Sequence, residues 1–122
     1  MLRRFLHEEV LIGGYERQAG SLGWRCTREY RLLGGYIDLV AESMGVVLAV
    51  EAELTPARIP ADIGKAAQLA ADRLVILVPN ARVRGACERR LGRLTEDGTR
   101  LPVGVDVCTL PKAIQQLRSY RW

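Results

Sequence analysis

Three carboxylates carry the spacing of a possible reaction centre. Asp38 sits inside Tyr36-Ile37-Asp38-Leu39-Val40, and Glu51 and Glu53 close the apolar segment that begins at Val46. If both segments are strands, Glu51 and Glu53 point to one face, roughly 6–7 Å apart. A short turn between the segments brings Asp38 alongside them. Acids placed among such apolar neighbours cost free energy unless something compensates. A hard divalent cation with oxygen ligands, Mg²⁺ or Mn²⁺, compensates well, because Mg²⁺ takes one or two carboxylates together with waters and phosphate oxygens. Such an ion activates water and neutralises charge on a phosphodiester. The alternative is plain: Glu51 and Glu53 leave the sheet into solvent, and Asp38 bonds the backbone of a turn.

Other residue types offer less. His7 is the only histidine, flanked by Glu8 and Glu9 in a helical pattern, and is expected to face solvent. No serine or cysteine has the partners of a nucleophilic triad. Gly13-Gly14 and Gly34-Gly35 lack the context of a phosphate loop. Arg82, Arg84, Arg89, Arg90 and Arg93 make one basic helix, suited to gripping phosphates or to simple solvation.

The elements that must position these groups can be laid out along the chain. Leu2, Leu6 and Val10, with Phe5 and Ile12 flanking, predict a helix over residues 3–20, weakened at Gly13-Gly14. Trp24, Cys26 and Tyr30 alternate with polar residues, predicting a strand over 24–32 with Trp24 and Tyr30 toward the core. Gly34-Gly35 and Ser43-Met44-Gly45 are turns, so residues 36–42 and 46–53 complete a three-stranded antiparallel meander. Pro60 opens a helix running to about Asp72, with Asp62 in its favourable first turn and Ala66, Ala67, Leu69, Ala70 and Ala71 suited to packing on a sheet. Leu74 to Val78 reads as a strand covered on both faces. A helix over 81–94, a strand over 103–109 and a helix over 111–119 follow. The order is αβββαβ, then αβα: an α/β fold with a mixed central sheet flanked by helices.

Composition fits one domain spanning all 122 residues. With 48% apolar and 26% charged residues, disorder is excluded as the dominant state. No stretch approaches the ~20 apolar residues of a membrane-spanning helix, and Glu8 and Glu9 interrupt any leader-like core. Cys26, Cys87 and Cys108 show no metal-binding or disulfide spacing and are expected to be thiols of a reducing cytoplasm. The net charge is +4, and arginine supplies nearly all the cations. Arginine's planar fork suits phosphate, although a G+C-rich genome gives the same bias. The excess lies late in the chain, beside an acidic centre, which is compatible with a nucleic-acid face next to a metal site and equally with plain solvated helices.

The run from Gly34 through Asp38 to Val40, then Val46 to Val50, then Glu51-Ala52-Glu53, resembles the core motif of the PD-(D/E)XK nuclease superfamily, with its restriction-endonuclease-like fold. In that family an Asp on one strand is followed, after a hairpin, by Glu-x-Lys on the next. The resemblance extends over nearly the whole chain and departs from the pattern at Glu53, where the lysine belongs. It implies that Asp38 and Glu51 bind Mg²⁺ or Mn²⁺, helped by a first-helix glutamate, Glu9 first, with Glu8 and Glu16 as alternatives. Glu53 becomes a ligand or general base. Lys65, on the following helix, takes over the missing lysine's place beside the attacking water, and Gln68, one turn on, holds the water or the backbone. The implied activity is hydrolysis of DNA phosphodiesters, with the arginines of residues 82–93 holding the backbone without reading sequence. The alternative is an inactive nuclease-fold module that binds nucleic acid or a protein partner. A homodimer is expected, because a domain of this size cannot wrap a duplex alone; Leu110 to Trp122 offers apolar contact for it, or packs on its own core.

Overall fold

The computed structural model describes residues 5–121, so Leu2 of the expected first-helix stripe and the terminal Trp122 lie outside the described residues. The first element of the described residues is a π-helical segment, Leu6–Ile12, closed by a bond from the Gly13 N–H to the Glu8 carbonyl. It continues directly into helix α1, Gly13–Ser21. This corrects the expected stripe. The wider π turn rotates the helix, so Leu11, Ile12, Tyr15 and Ala19 are buried while Phe5 is 57% and Val10 38% exposed.

The three-stranded meander forms as expected: β1 (Arg25–Leu32), β2 (Gly35–Ser43) and β3 (Val46–Ala52), each antiparallel to the next. The β2–β3 turn needs positive φ at both Met44 and Gly45, the geometry that matches the twist of a tight hairpin. A 3₁₀ turn, Pro56–Arg58, leads into α2, Ile59–Leu69. This helix ends earlier than the sequence suggested, because Ala70 turns left-handed at its C-terminus. Its buried side is Ile59, Asp62, Ile63 and Ala66, whereas Ala67 and Ala70 are exposed. Strand β4 (Arg73–Val78) then pairs parallel with β3, α3 covers Ala81–Thr95, and β5 (Gly104–Thr109) pairs parallel with β4. Helix α4, Leu110–Gln116, and a 3₁₀ turn close the described chain.

The result is an α/β fold with a mixed, open five-stranded sheet in the order β1-β2-β3-β4-β5. Leu74 to Val78 are all fully buried between two layers, as the apolar run required. One layer packs Leu11, Tyr15, Trp24, Ala113 and Leu117 on the sheet. The other packs Ile59, Ile63, Ala66 and Cys87 on its opposite face. Leu110 and Tyr120 join the first layer, so the C-terminal segment packs on its own core. The Tyr120 hydroxyl donates to Asp106, which also holds Arg73 through two bonds of 2.7 and 3.0 Å. Among the described residues no helix is long and apolar enough to cross a membrane.

The contact between α1 and α4 is close. A Cβ on Gly14 would stand 2.7 Å from Leu110 Cδ2, whereas a Cβ on Gly20 meets nothing within 4 Å. Gly14→Val is therefore expected to lower stability by about 1–3 kcal/mol through overpacking. Gly20→Ala is expected to raise it by about 0.5 kcal/mol through lower unfolded-state entropy. Urea melts of the two variants check both signs.

Candidate active site

Two distortions mark one end of the sheet. Period-two alternation would place Ile37 and Leu39 in the same layer, yet Ile37 packs with the α2 layer and Leu39 with the α1 layer. The β1–β2 pairing omits Asp38 and its opposite residue, Glu29, which has a φ of 49°. That conformation is uncommon outside glycine, and such strain clusters at functional sites. The second distortion is the π-helical segment, which carries His7 toward the same point.

Beyond Leu39↔Val50 the ladder between β2 and β3 stops, and side chains replace it. Glu51 Oε1 accepts the Asp38 N–H at 3.0 Å, and Asp38 Oδ2 accepts the Ala52 N–H at 2.9 Å. The two acids thus clasp each other's strand where the strands part. Each also meets a basic side chain. His7 Nε2 lies 3.0 Å from Asp38 Oδ2, and Lys65 Nζ lies 2.7 Å from Glu51 Oε2. Glu53 continues the strand direction, with its N–H bonded to the Leu77 carbonyl. Asp38, Glu51, Glu53, Asp62, Lys65 and His7 line a cleft of about 730 Å³, rimmed by Gly34 to Tyr36 and by Arg58.

Among the described residues Glu51, Glu53 and Asp62 are the only buried polar or charged side chains, at 2%, 8% and 1% exposure. Their shared burial sets the electrostatics. Desolvation pushes Asp38 up, but the His7 hydrogen bond, the Ala52 N–H and the imidazole charge outweigh it, and the carboxyl titrates below its usual range. Glu51 moves the other way: burial and the neighbouring Asp38 charge win over Lys65 and raise it. Lys65 is lowered by desolvation but raised more by Glu51, Asp62 and Asp38, so its ammonium is held. The Asp38 hydrogen bond raises His7. Asp62 is the extreme case. Burial, the adjoining Glu53 carboxyl and the Glu51 charge push it up to about 10. Neither Asp62 oxygen accepts a hydrogen bond, and Lys65 Nζ stands 3.7 Å away. Two acceptor-only groups meet stably only with a proton between them, so Asp62 is protonated near neutrality and offers that proton to Glu53.

Several residues singled out from sequence meet here and others do not. Asp38, Glu51, Glu53 and Lys65 line one cleft. Gln68 lies outside it on the exposed side of α2, where its Nε2 donates to the Leu33 carbonyl at 3.5 Å, a long bond to backbone. Glu9, the glutamate expected to join a metal, is exposed and does not line the cleft, because the π turn gives the inward place to His7. Glu16 instead pairs with Arg28 at 2.9 Å. Arg82, Arg84, Arg89 and Arg93 are exposed and Arg90 is half-buried. Since β3 and β4 run parallel, α3 starts at the cleft's end of the sheet, so Arg82 and Arg84 lie toward that end, but neither lines the cleft. Arg93, twelve residues beyond the first residue of α3, stands roughly 18 Å along the axis.

His7 and Asp62 are the two that sequence reasoning missed. His7 gave no signal beyond being the only histidine. Asp62 did: it stands at i−3 from Lys65 on a helix and so on the same face.

The acids that line the cleft offer only hard oxygens, a ligand chemistry that suits a divalent cation. As the side chains stand, no three His, Cys, Asp or Glu groups among the described residues are gathered as a metal site. Lys65 and His7 hold the acids instead. Comparison with protein-family models, with curated protein sequences and with solved structures returns no match to this chain.

Proposed function

We propose that the chain is a divalent-cation-dependent nuclease of the PD-(D/E)XK, restriction-endonuclease-like type, hydrolysing phosphodiesters in DNA. The observation that carries the proposal is the Asp38–Glu51 clasp at the parting of β2 and β3, with Lys65 arriving from α2 onto Glu51. The αβββαβ order, with α1 and α2 on opposite faces of the sheet, agrees with the core that the resemblance implies.

Asp38 and Glu51 would hold the cation, which supplies a more acidic bound water and offsets charge on the phosphodiester. Lys65 takes the role of the lysine that Glu53 displaces, keeping one positive charge beside the reacting phosphate. Glu53, with no cation of its own, would accept a proton from the attacking water and become a neutral carboxyl; before that transfer, protonated Asp62 holds the Glu53 carboxylate in place. Arg82 and Arg84, at the cleft end of α3, hold the phosphate backbone.

One observation favours a second reading. Lys65 and His7 already occupy Glu51 and Asp38, and among the described residues no three ligands are gathered, as in an inactive module that binds nucleic acid. Calorimetric titration with Mn²⁺, in the absence and presence of DNA, followed by cleavage assays on branched, single-stranded and duplex DNA, separates the two. Binding and cleavage are expected. Absence of metal binding in both titrations would leave only the inactive module.

A further inference from the structure

The tip of the β1–β2 hairpin forms one wall of the cleft, through Gly34, Gly35 and Tyr36. Leu33 is unusual for a tight turn, where small and polar residues are the rule, and Tyr36 follows as the second residue of β2. Leu33 is 91% exposed and Tyr36 47% exposed. Arg31 stands directly opposite Tyr36 in the ladder, so both side chains lie on one face. Arg31 and Arg58 are exposed and have no acidic partner among the described residues. The tip is also held fast. Lys65 Nζ donates to the Tyr36 carbonyl at 2.8 Å, and Gln68 reaches the Leu33 carbonyl. Lys65 therefore anchors the wall and neutralises Glu51 with the same ammonium.

We infer that this hairpin tip is a platform for unpaired bases, so that the site takes single-stranded or frayed nucleic acid in preference to intact duplex. The inference rests on the nuclease-fold reading and deepens it. An aromatic face and an exposed aliphatic side chain, flanked by unpaired arginines, match the alternation of bases and phosphates along a single strand. In a paired duplex the base faces are buried in the stack, and Leu33 and Tyr36 would meet only phosphates, leaving their apolar surface in water. Because Lys65 ties the Tyr36 carbonyl to α2, the aromatic part of the platform is already in place when the strand arrives, and little ordering is required on binding.

The test measures binding of a short thymidine oligomer and of a blunt duplex by fluorescence anisotropy, with a chelator present to prevent cleavage. A single-stranded probe carrying 2-aminopurine reports stacking. The wild-type chain is expected to bind the single strand more tightly than the duplex and to quench the probe. Tyr36→Ala and Leu33→Ser are each expected to weaken single-strand binding about 10-fold while duplex binding changes by less than about two-fold, and Tyr36→Phe is expected to retain affinity because it keeps the ring face. Thermal melts confirm that each variant is folded. Folded Tyr36→Ala and Leu33→Ser proteins that bind single strands as the wild type does would overturn the platform and leave the nuclease-fold reading standing. A preference of the wild type for duplex would do the same. Failure of the wild type to bind either DNA at low salt would overturn both.

Discussion

Glu51→Gln is expected to abolish Mn²⁺ binding in calorimetry and to lower DNA hydrolysis by about 10³-fold, the scale lost when a charged ligand or a transition-state stabilising group is removed. The substitution is chosen so that the fold survives it. The glutamine oxygen can still accept the Asp38 N–H now bonded to Oε1. Lys65 loses its nearest carboxylate, yet keeps the Tyr36 carbonyl and the charge of Asp38. Breaking a buried ion pair usually costs about 3–5 kcal/mol because a charge is stranded. Here the stranded group is a cation among surplus acids, so the cost is expected to stay within about 1 kcal/mol. Loss of metal binding with a melting temperature lowered by no more than about 4 °C is the expected pair of results. A variant that binds Mn²⁺ as the wild type does would remove Glu51 from the proposed site.

Asp62→Asn is expected to stabilise the protein at neutral and alkaline pH. The sign follows from linkage. Asp62 ionises near the ordinary carboxylate range when unfolded and far above it when folded. Between those two points the unfolded chain has released a proton that the folded chain keeps, so stability falls as pH rises. Below the ordinary range both states are protonated and the penalty vanishes. Asparagine carries an N–H₂ donor for Glu53 at every pH and has nothing to ionise. At pH 8 the gain is expected to be about 2 kcal/mol, or a rise in Tm of roughly 6 °C. His7 contributes in the same direction, since its raised pKa gives stability that is lost as pH climbs through it. The decisive measurement is therefore the difference between wild type and variant in urea melts from pH 5 to pH 9. That difference should widen with pH, whereas a constant difference would mean that Asp62 is ionised in the folded protein throughout the range.

How far the sequence could be read depended on the range of the interaction involved. Period-two runs and short turns located β1 to β3 and their antiparallel order, because neighbouring side chains and turn φ angles settle a hairpin locally. The unbroken run Leu74 to Val78 announced burial on both faces. The spacing of Asp38, Glu51 and Glu53 placed three acids at the end of one hairpin, and the family resemblance, not periodicity, pointed to Lys65 on the following helix. The first helix was read less well. A single π turn, invisible in residue preference, rotates it so that Val10 faces water and His7 rather than Glu9 faces the cleft.

By itself, then, the sequence determined the α/β order of elements and which acids share a sheet end, since both follow from local periodicity and chain connectivity. Tertiary structure alone decided that β2 and β3 part at Asp38, that Lys65 ties both Glu51 and the hairpin tip, and that Asp62 is sealed against Glu53 with no donor to meet it. These are consequences of α2 packing over the end of β3, and the desolvation that shifts a carboxyl's proton affinity exists only once that contact between distant parts of the chain has closed.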